Sequence, residues 1–389
     1  MNATPRITVL HVCEHFGGRE ASLHGVARGF QWWMPNYDAR RFRVLLCSRK
    51  GYDKAAEMMI QKGIQPLYLG YGKFDPRNLT GLTALIRREG VDVLHAHGYG
   101  ASTWSRLAGL VLKRPVIIHE RCNYGTVPLY QRPVERLFGP HTRYALAVSE
   151  STRRFCITKR YMPPEAVQVL YNGILLDTVE QVDPAWIAEF RKNRGVAARD
   201  KIVGIVGRLE PHKGLDDAVR ALSRLRQANS ADAAATRLWI VGDGGHLQDL
   251  RAQVQTLGME SQVDFLGFRP DVLRVIQCFD VQLFPSHMEG TPNTLFEALA
   301  VGNAIVASTI DGQGEILEHD KTGLLFAPGD DQTMAAQLAR VLGDPKLARF
   351  LREQALLRSK DFDGRKTIRA MESLYERAVA QNRRFAHNG

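Results

Sequence analysis

The sequence predicts an α/β protein made of two doubly wound domains, and three observations predict it. Its 389 residues exceed the roughly 250–300 at which a single core stops growing. Short apolar runs rich in Val, Ile and Leu alternate with helical patterns along the whole chain, the arrangement that gives parallel sheets covered by helices on both faces. The plan also occurs twice. "RITVLHV", "FRVLLCS", "VDVLHAH", "PVIIHE", "YALAVS" and "AVQVL" supply strands in the first half; "KIVGIVG", "RLWIVG", "VDFLG", "VQLFPS", "AIVAS" and "GLLFA" supply them in the second.

Helical segments lie between these runs. "NLTGLTALIRREG" stops at a glycine, a common helix terminator, and the chain from Pro345 onward is nearly all helical in pattern. Strand character fades over "YNGILLDTVEQVDP", residues 171–184, where Asn-Gly and Asp-Pro punctuate the chain. The expected domains are therefore residues 1–175 and 176–364, with a C-terminal helix, 365–389, packing back on the first.

Composition narrows the class. Hydrophobic residues make up 44% and charged residues 24%, ordinary for a soluble globular protein, and no apolar run approaches the roughly 18 residues of a membrane helix. The start, "MNATPRITVLHV", carries Arg6 inside a strand pattern and lacks the signature of a signal peptide. The five cysteines, Cys13, Cys47, Cys122, Cys156 and Cys278, are widely spaced with no C-x-x-C pair. That suits reduced thiols in the cytoplasm and argues against a disulfide framework or a structural zinc site. The net charge of +11 is one-sided: residues 1–180 hold 25 Lys and Arg against 14 Asp and Glu, and residues 181–389 hold 27 against 27. A one-sided excess points the first half at something anionic, such as an acceptor or the inner face of a membrane. "RRFR" (Arg40–Arg43) and "RRFCITKR" (Arg153–Arg160) are the candidate contacts; a solvated basic face is the plainer reading.

In open α/β sheets ligands bind beyond the carboxyl ends of the strands, and the unusual residues fall there. After the first strand, Gly17-Gly18 precedes a helix. Two glycines let a ligand approach the amides of a helix N-terminus, or simply make a flexible turn. After "KIVGIVG", Arg208 and Lys213 flank a proline turn before another helix. Helix N-termini disfavour bare cations, so the pair reads as a holder of a bound anion, against a solvated pair as the alternative.

The densest constellation is "HMEGTPNTLFEALAVGNAIVAS", His287 to Ser308. Pro292 suits the first helical position. The amides of Asn293, Thr294 and Leu295 would then be unpaired within the helix and available to phosphate oxygens. Glu297, one turn inside, could accept hydrogen bonds from a ribose diol, and Glu289, beside Gly290 and Thr291, could do so for a second sugar. Helix-dipole complementarity, worth about 0.3–1 kcal/mol, explains one acid but not the loop position of Glu289. Among the histidines, His95, His97 and His119 sit at strand ends, where a structural role competes with a catalytic one. No G-x-G-x-x-G follows a strand and no G-x-x-x-x-G-K-[ST] exists, so dinucleotide and P-loop chemistry are weak readings. The one D-x-D, Asp361-Phe-Asp363, lies in the helical tail. No divalent metal is expected.

"EGTPNTLFEA" resembles the E-x7-E element of the retaining GT-B glycosyltransferases of family 4 (glycosyl transferases group 1). "VGRLEPHKGLDDAV", "VGDGG", "VDFLGFRPDV" and "KTGLLFAPGD" resemble the blocks around it in that family, in the same order, and "GGRE" and "YNGI" resemble its N-terminal loop and interdomain turn. The resemblance implies a GT-B fold, two Rossmann-like domains facing across a cleft. It also implies a metal-independent enzyme without cofactor that moves a sugar from a nucleotide-sugar donor to a glycan or lipid-linked acceptor, as in bacterial cell-surface polysaccharide or lipopolysaccharide biosynthesis. It assigns Arg208 and Lys213 to the donor diphosphate. Glu289 and the amides after it (Gly290, Thr291, Asn293, Thr294, Leu295) go to the sugar and phosphates, and Glu297 goes to the ribose. Gly17 and Gly18 approach the diphosphate from the other domain, and His119 lies near the reacting sugar. The "EGTPNTLFEA" variant leans towards UDP-sugars over GDP- or ADP-sugars. An epimerase of the same fold and a non-catalytic nucleotide-sugar-binding module are the alternatives; no nucleic-acid partner is expected.

Overall fold

The computed structural model describes residues 6–17, 25–121, 123, 126–227 and 235–387. Its internal contacts divide the chain into Met1–Asn172 with Gly364–Gly389, and Gly173–Asp363. The sequence placed these divisions at 175/176 and 364/365.

The first unit is built on a parallel sheet of seven strands: β1 (Ile7–Cys13), β2 (Phe42–Ser48), β3 (Leu67–Tyr68), β4 (Val93–His97), β5 (Val116–Glu120), β6 (Tyr144–Ala147) and β7 (Val167–Val169). Their order is β3-β2-β1-β4-β5-β6-β7. The second unit holds β8 (Lys201–Val206), β9 (Thr236–Val241), β10 (Val263–Gly267), β11 (Val281–Phe284), β12 (Ala304–Ser308) and β13 (Leu324–Phe326), in the order β10-β9-β8-β11-β12-β13. Every apolar run picked out in the sequence forms a strand. The additional strand, β3, is two half-buried residues long, too short to leave a pattern.

Both sheets start in the middle, wind outward to one edge, return to the centre and wind to the other, with all pairs parallel. Strand order reverses between β1 and β4, and again between β8 and β11. Such reversals leave a crevice beyond the strand ends because the loops there leave in opposite directions.

The helices follow from their buried stripes. Leu215–Gln227 buries Leu215, Ala218, Val219, Leu222 and Leu225, the three- and four-residue spacing of a helix lying on a sheet. Arg77–Glu89 buries Leu82, Leu85 and Ile86 and ends at Gly90, whose φ of 62° closes the last turn. The C-terminal helix Gly364–His387 lies on the first sheet. Thr367 donates to the carbonyls of Tyr171 and Asn172, the Asp38 amide donates to Glu372, and the Tyr375 hydroxyl is 2.7 Å from His95 Nδ1.

No helix among the described residues is long and apolar enough to cross a membrane.

Candidate functional site

The two reversal points differ in how far the central strands stay paired. β1 and β4 pair over five residues, up to Cys13 with His97. β8 and β11 pair only at Val203–Val281 and Gly204–Gln282, although β8 continues beside β9 to Val206 and β11 beside β12 to Phe284. Beyond Gly204 the two strands part. The gap between their ends is a pocket lined by Ile205, Val206, Leu283 and Phe284 at its base, and by Arg208, Lys213, Glu289 and Thr294 above them.

Local structure brings these side chains to the gap. Gly214 has φ 66°, and a Cβ there would stand 2.1 Å from the Pro285 carbonyl oxygen. Only a glycine lets the turn after Lys213 close against the loop after β11. The His287 amide then donates to the His212 carbonyl at 2.8 Å, and the His287 ring bonds the buried Asp217. With the loops joined, Lys213 Nζ pairs with Glu289 Oε1, and Ser286 Oγ donates to the same oxygen at 3.5 Å. On the far side, a Cβ at Gly312 would fall 1.5 Å from the Gly290 carbonyl oxygen, so a glycine is needed there for the "EGTP" loop to pass. Arg208 is fixed from its neighbour: Leu209 N–H donates to Asp243, and the Leu209 carbonyl accepts from His246 N–H. Its own side chain is 66% exposed, with Glu210 3.9 Å away. The electrostatic character of the pocket registers on His212, held below its ordinary value by burial and then by the charges of Lys213 and Arg208.

The helix Asn293–Val301 begins at the pocket rim. Two sequence expectations are corrected there. Pro292 is the residue before the helix, with φ −69° and ψ 131°, and not its first turn. The Leu295 amide donates to the Pro292 carbonyl at 3.0 Å, because the first turn tightens into a three-residue bond; it is not an open donor. Glu297 lies one turn in and is buried. Gly290 and Thr291 form the approach to the helix.

The corresponding corner of the first unit is closed. His11, His95, His97 and His119 are all buried, with neighbouring rings 4.5–5.3 Å apart. His97 Nε2 bonds His11 Nδ1 at 3.0 Å. Tyr375 joins His11 Nε2 at 3.4 Å and His95 Nδ1 at 2.7 Å. His95 Nε2 bonds His119 Nδ1 at 3.0 Å. The ends of this chain, His97 Nδ1 and His119 Nε2, are buried without a partner among the described residues. Burial holds the four imidazoles neutral: His11 falls to about 3, and the others lie well below the usual value, with the nearby Arg121 charge adding to the effect. His119, expected near a reacting sugar, is 1% exposed and stacks on Trp33. One nitrogen from each of His11, His95 and His97 lies within 4.8 Å of the others. That set could approach a metal ion only if the His11–His97 bond opened.

Gly17 lies in the loop after β1, where its carbonyl accepts from His15 Nδ1; Gly18 and Cys122 fall outside the described residues. Asp361, in the tail D-x-D, is paired with Arg358. The sequence reading missed Ser286, Gly214 and the Asp217–His287 pair. Of these, only Gly214, directly after Lys213, left a local signal.

In the basic segments named in the sequence most arginines are paired, whereas Lys159 of the second is exposed. Arg40 pairs with Asp38, Arg41 with Glu372 and Glu376, and Arg43 with Glu89. Arg160 is buried between Glu120 and Glu135, and Arg153 is tied to backbone carbonyls and Glu150.

Comparison with known proteins agrees with this architecture. Residues 187–358 match the model of glycosyl transferases group 1, and residues 23–178 match that of glycosyltransferase family 4. Relatives include a UDP-Gal:alpha-D-GlcNAc-diphosphoundecaprenol alpha-1,3-galactosyltransferase of Escherichia coli, 25% identical over 70% of this chain and 72% of the relative. Another is the 2-deoxystreptamine glucosyltransferase of Streptomyces kanamyceticus, 28% identical over 69% of this chain and 72% of the relative. Among solved structures, Anabaena Alr3699/HepE in complex with UDP superposes with a TM-score of 0.81 at 21% identity, covering 95% of this chain and all of that one.

Proposed function

The chain is a glycosyltransferase of group 1, family 4, with the GT-B fold, and from that premise we propose that it transfers a sugar from a UDP-sugar to a glycan or lipid-linked acceptor, with retention at the anomeric carbon. The reading places the enzyme in the cytoplasm, in the building of bacterial cell-surface polysaccharide. The observation that carries it is the parted end of β8 and β11, which gathers Arg208, Lys213, Glu289 and Thr294 around one pocket at the mouth of a helix.

That arrangement suits a departing diphosphate. The bond between the anomeric carbon and the phosphate oxygen breaks with its electron pair going to the diphosphate. The acceptor oxygen forms the new bond, and its proton passes to the departing phosphate oxygen. Positive charge develops on the sugar and negative charge on the leaving group, so fixed cations aimed at the leaving group supply the main stabilisation. Arg208 and Lys213 take that role, with the helix N-terminus beside them. Before donor binds, Lys213 is held by Glu289. The donor exchanges this contact, leaving Glu289 to accept from sugar hydroxyls. Glu297 holds the ribose. The relatives' names support the acceptor class, since the Escherichia coli enzyme acts on a diphosphoundecaprenol-linked sugar.

A thermal-shift panel of UDP, GDP and ADP tests the donor. UDP at 100 times its dissociation constant should stabilise by about 2.7 kcal/mol, with little from the other two at that concentration. A larger shift with GDP or ADP would reassign the base, and no shift with any of the three would remove the donor site.

A further inference from the structure

The excess positive charge of the first half has to sit somewhere, and most arginines of the two segments richest in them are paired with carboxylates from other parts of the chain. The structure brings Lys159 of the second segment together with two arginines that lie outside both. Arg132 and Arg136, one turn apart on the helix Arg132–Phe138, and Lys159 line a pocket of about 250 Å³ with the hydroxyl residues Thr158 and Tyr161. Among the described residues, no acidic residue lines it and none of the three cations has a carboxylate partner. Arg132 Nε donates to the Val127 carbonyl, and Arg136 Nε to the Tyr161 hydroxyl at 3.4 Å. Tyr161 itself has φ 56°, a conformation disfavoured for a ring-bearing side chain and one that turns it into this pocket's wall.

The surrounding surface is unusually apolar. Leu129 is 75% exposed, Leu137 64%, Phe74 71% and Tyr130 51%. Leu129 and Tyr130 lie on the turn that leads into Arg132, and Leu137 follows Arg136. Phe74 packs edge-on against Tyr130 with centroids 5.8 Å apart. Lys73, next to Phe74, bonds the Tyr130 hydroxyl at 2.7 Å. Three convergent cations describe a phosphate site. Protruding leucines and aromatics beside them describe a surface that enters a headgroup layer, with basic groups on its phosphates and amphipathic rings at its boundary. A soluble phosphate would account for the first feature and leave the second unexplained.

We propose that this face of the first unit docks on an anionic bilayer, with a phospholipid phosphate seated among Arg132, Arg136 and Lys159 and with Leu129 and Leu137 entering the interface. Donor binding by Arg208 and Lys213 belongs to the other unit, so the two assignments stand or fall separately.

The test is co-sedimentation of the full chain with vesicles of phosphatidylcholine alone or mixed with phosphatidylglycerol, at low and high salt. Binding is expected on the mixed vesicles and should fall with salt. Arg132→Gln/Arg136→Gln/Lys159→Gln should weaken it about 100-fold, at roughly fivefold per surface cation. Leu129→Asp/Leu137→Asp, which leaves the cations in place, should weaken it at least tenfold. All five side chains are exposed, so each variant should keep the parent melting temperature and UDP shift. Equal retention on neutral vesicles would overturn the proposal, as would full retention by either variant. So would binding of inorganic phosphate by the parent chain, lost in the triple cation variant, together with indifference of vesicle binding to the leucine changes, which would make the pocket a site for a soluble phosphate.

Discussion

The two sheets share one winding order, yet their reversal points are chemical opposites. Between β1 and β4 the ladder holds to the last residue, and four imidazoles fill the corner as a buried, neutral, hydrogen-bonded stack. Between β8 and β11 the ladder stops after two pairs, and the corner opens into a pocket lined by Arg208, Lys213 and Glu289. Topology selects where a ligand could sit. Whether one can enter depends on how far the central strands stay paired and on whether the side chains there satisfy one another.

The largest effect that separates the corners is their response to acid. The imidazoles of His11, His95, His97 and His119 have folded-state values below the unfolded 6.5, His11 at about 3, because burial disfavours the charged form. Below pH 6.5 the unfolded chain binds protons that the folded one refuses. Stability is therefore full above that value and is lost as pH falls towards the folded values. His11 alone should cost about 1.4 kcal/mol at one pH unit below its unfolded value, and the other three act in the same direction, so moving from pH 7.5 to 5.5 should destabilise the first unit. The second unit has no such stack among its described residues. There His246, although burial opposes it, is raised by its bonds to Asp216 and Asp249. Its contribution is present below 6.5 and fades only as pH rises through the raised value. Amide hydrogen exchange at the two pH values should show protection lost across β1, β4 and β5 and kept across β8, β11 and β12. Equal loss in both sheets would erase the contrast.

The next effect tests the open corner. Charged hydrogen bonds are worth about 1.5–3 kcal/mol each, so Arg208→Ala should lower donor turnover by one to two orders of magnitude, and the double variant with Lys213→Ala by more. The two cations should differ in stability. Arg208 is largely exposed and its loss should leave the melting temperature unchanged. Lys213 and Glu289 are mostly buried against each other, so Lys213→Ala leaves a carboxylate poorly compensated and should also destabilise the second unit. Unchanged donor turnover in the double variant would take the diphosphate away from this pocket.

Much of this was legible in the sequence, and the parts that were not have physical reasons. Continuous Val, Ile and Leu runs announced twelve strands because strands buried on both faces have no polar alternation to hide them. The grouping of Arg208, Lys213 and Glu289 could be anticipated because each follows a strand end, and open sheets gather such ends. The parting of β8 and β11 could not, since register is a property of two strands and neither one alone records where pairing stops. His119 shows the opposite failure. A histidine at a strand end reads the same whether it faces a ligand or His95, and only the packing of the C-terminal helix, through Tyr375, tells the two apart. The Leu295 amide was likewise beyond reach, because a first-turn bond depends on the backbone angles of Pro292.

The smallest effect tests the cause of the open corner most directly. If the approach of two loops builds the pocket, pushing them apart by one methyl group should dismantle it without touching any charged residue. Gly214→Ala does this. Its Cβ would meet the Pro285 carbonyl at 2.1 Å, in a backbone conformation with φ 66° that alanine adopts at a cost of about 1–2 kcal/mol. The loop after Lys213 must retreat, and the bond from His287 N–H to the His212 carbonyl and the Lys213–Glu289 pair lengthen with it. The expected result is a loss of about 2 kcal/mol in stability, together with a UDP shift reduced out of proportion to it, since the cations no longer converge. Gly90→Ala is the control: its φ is 62°, but a Cβ there meets nothing within 4 Å, so it should pay the strain and keep the UDP shift. Equal UDP shifts in the two variants would mean that loop closure at Gly214 does not shape the site.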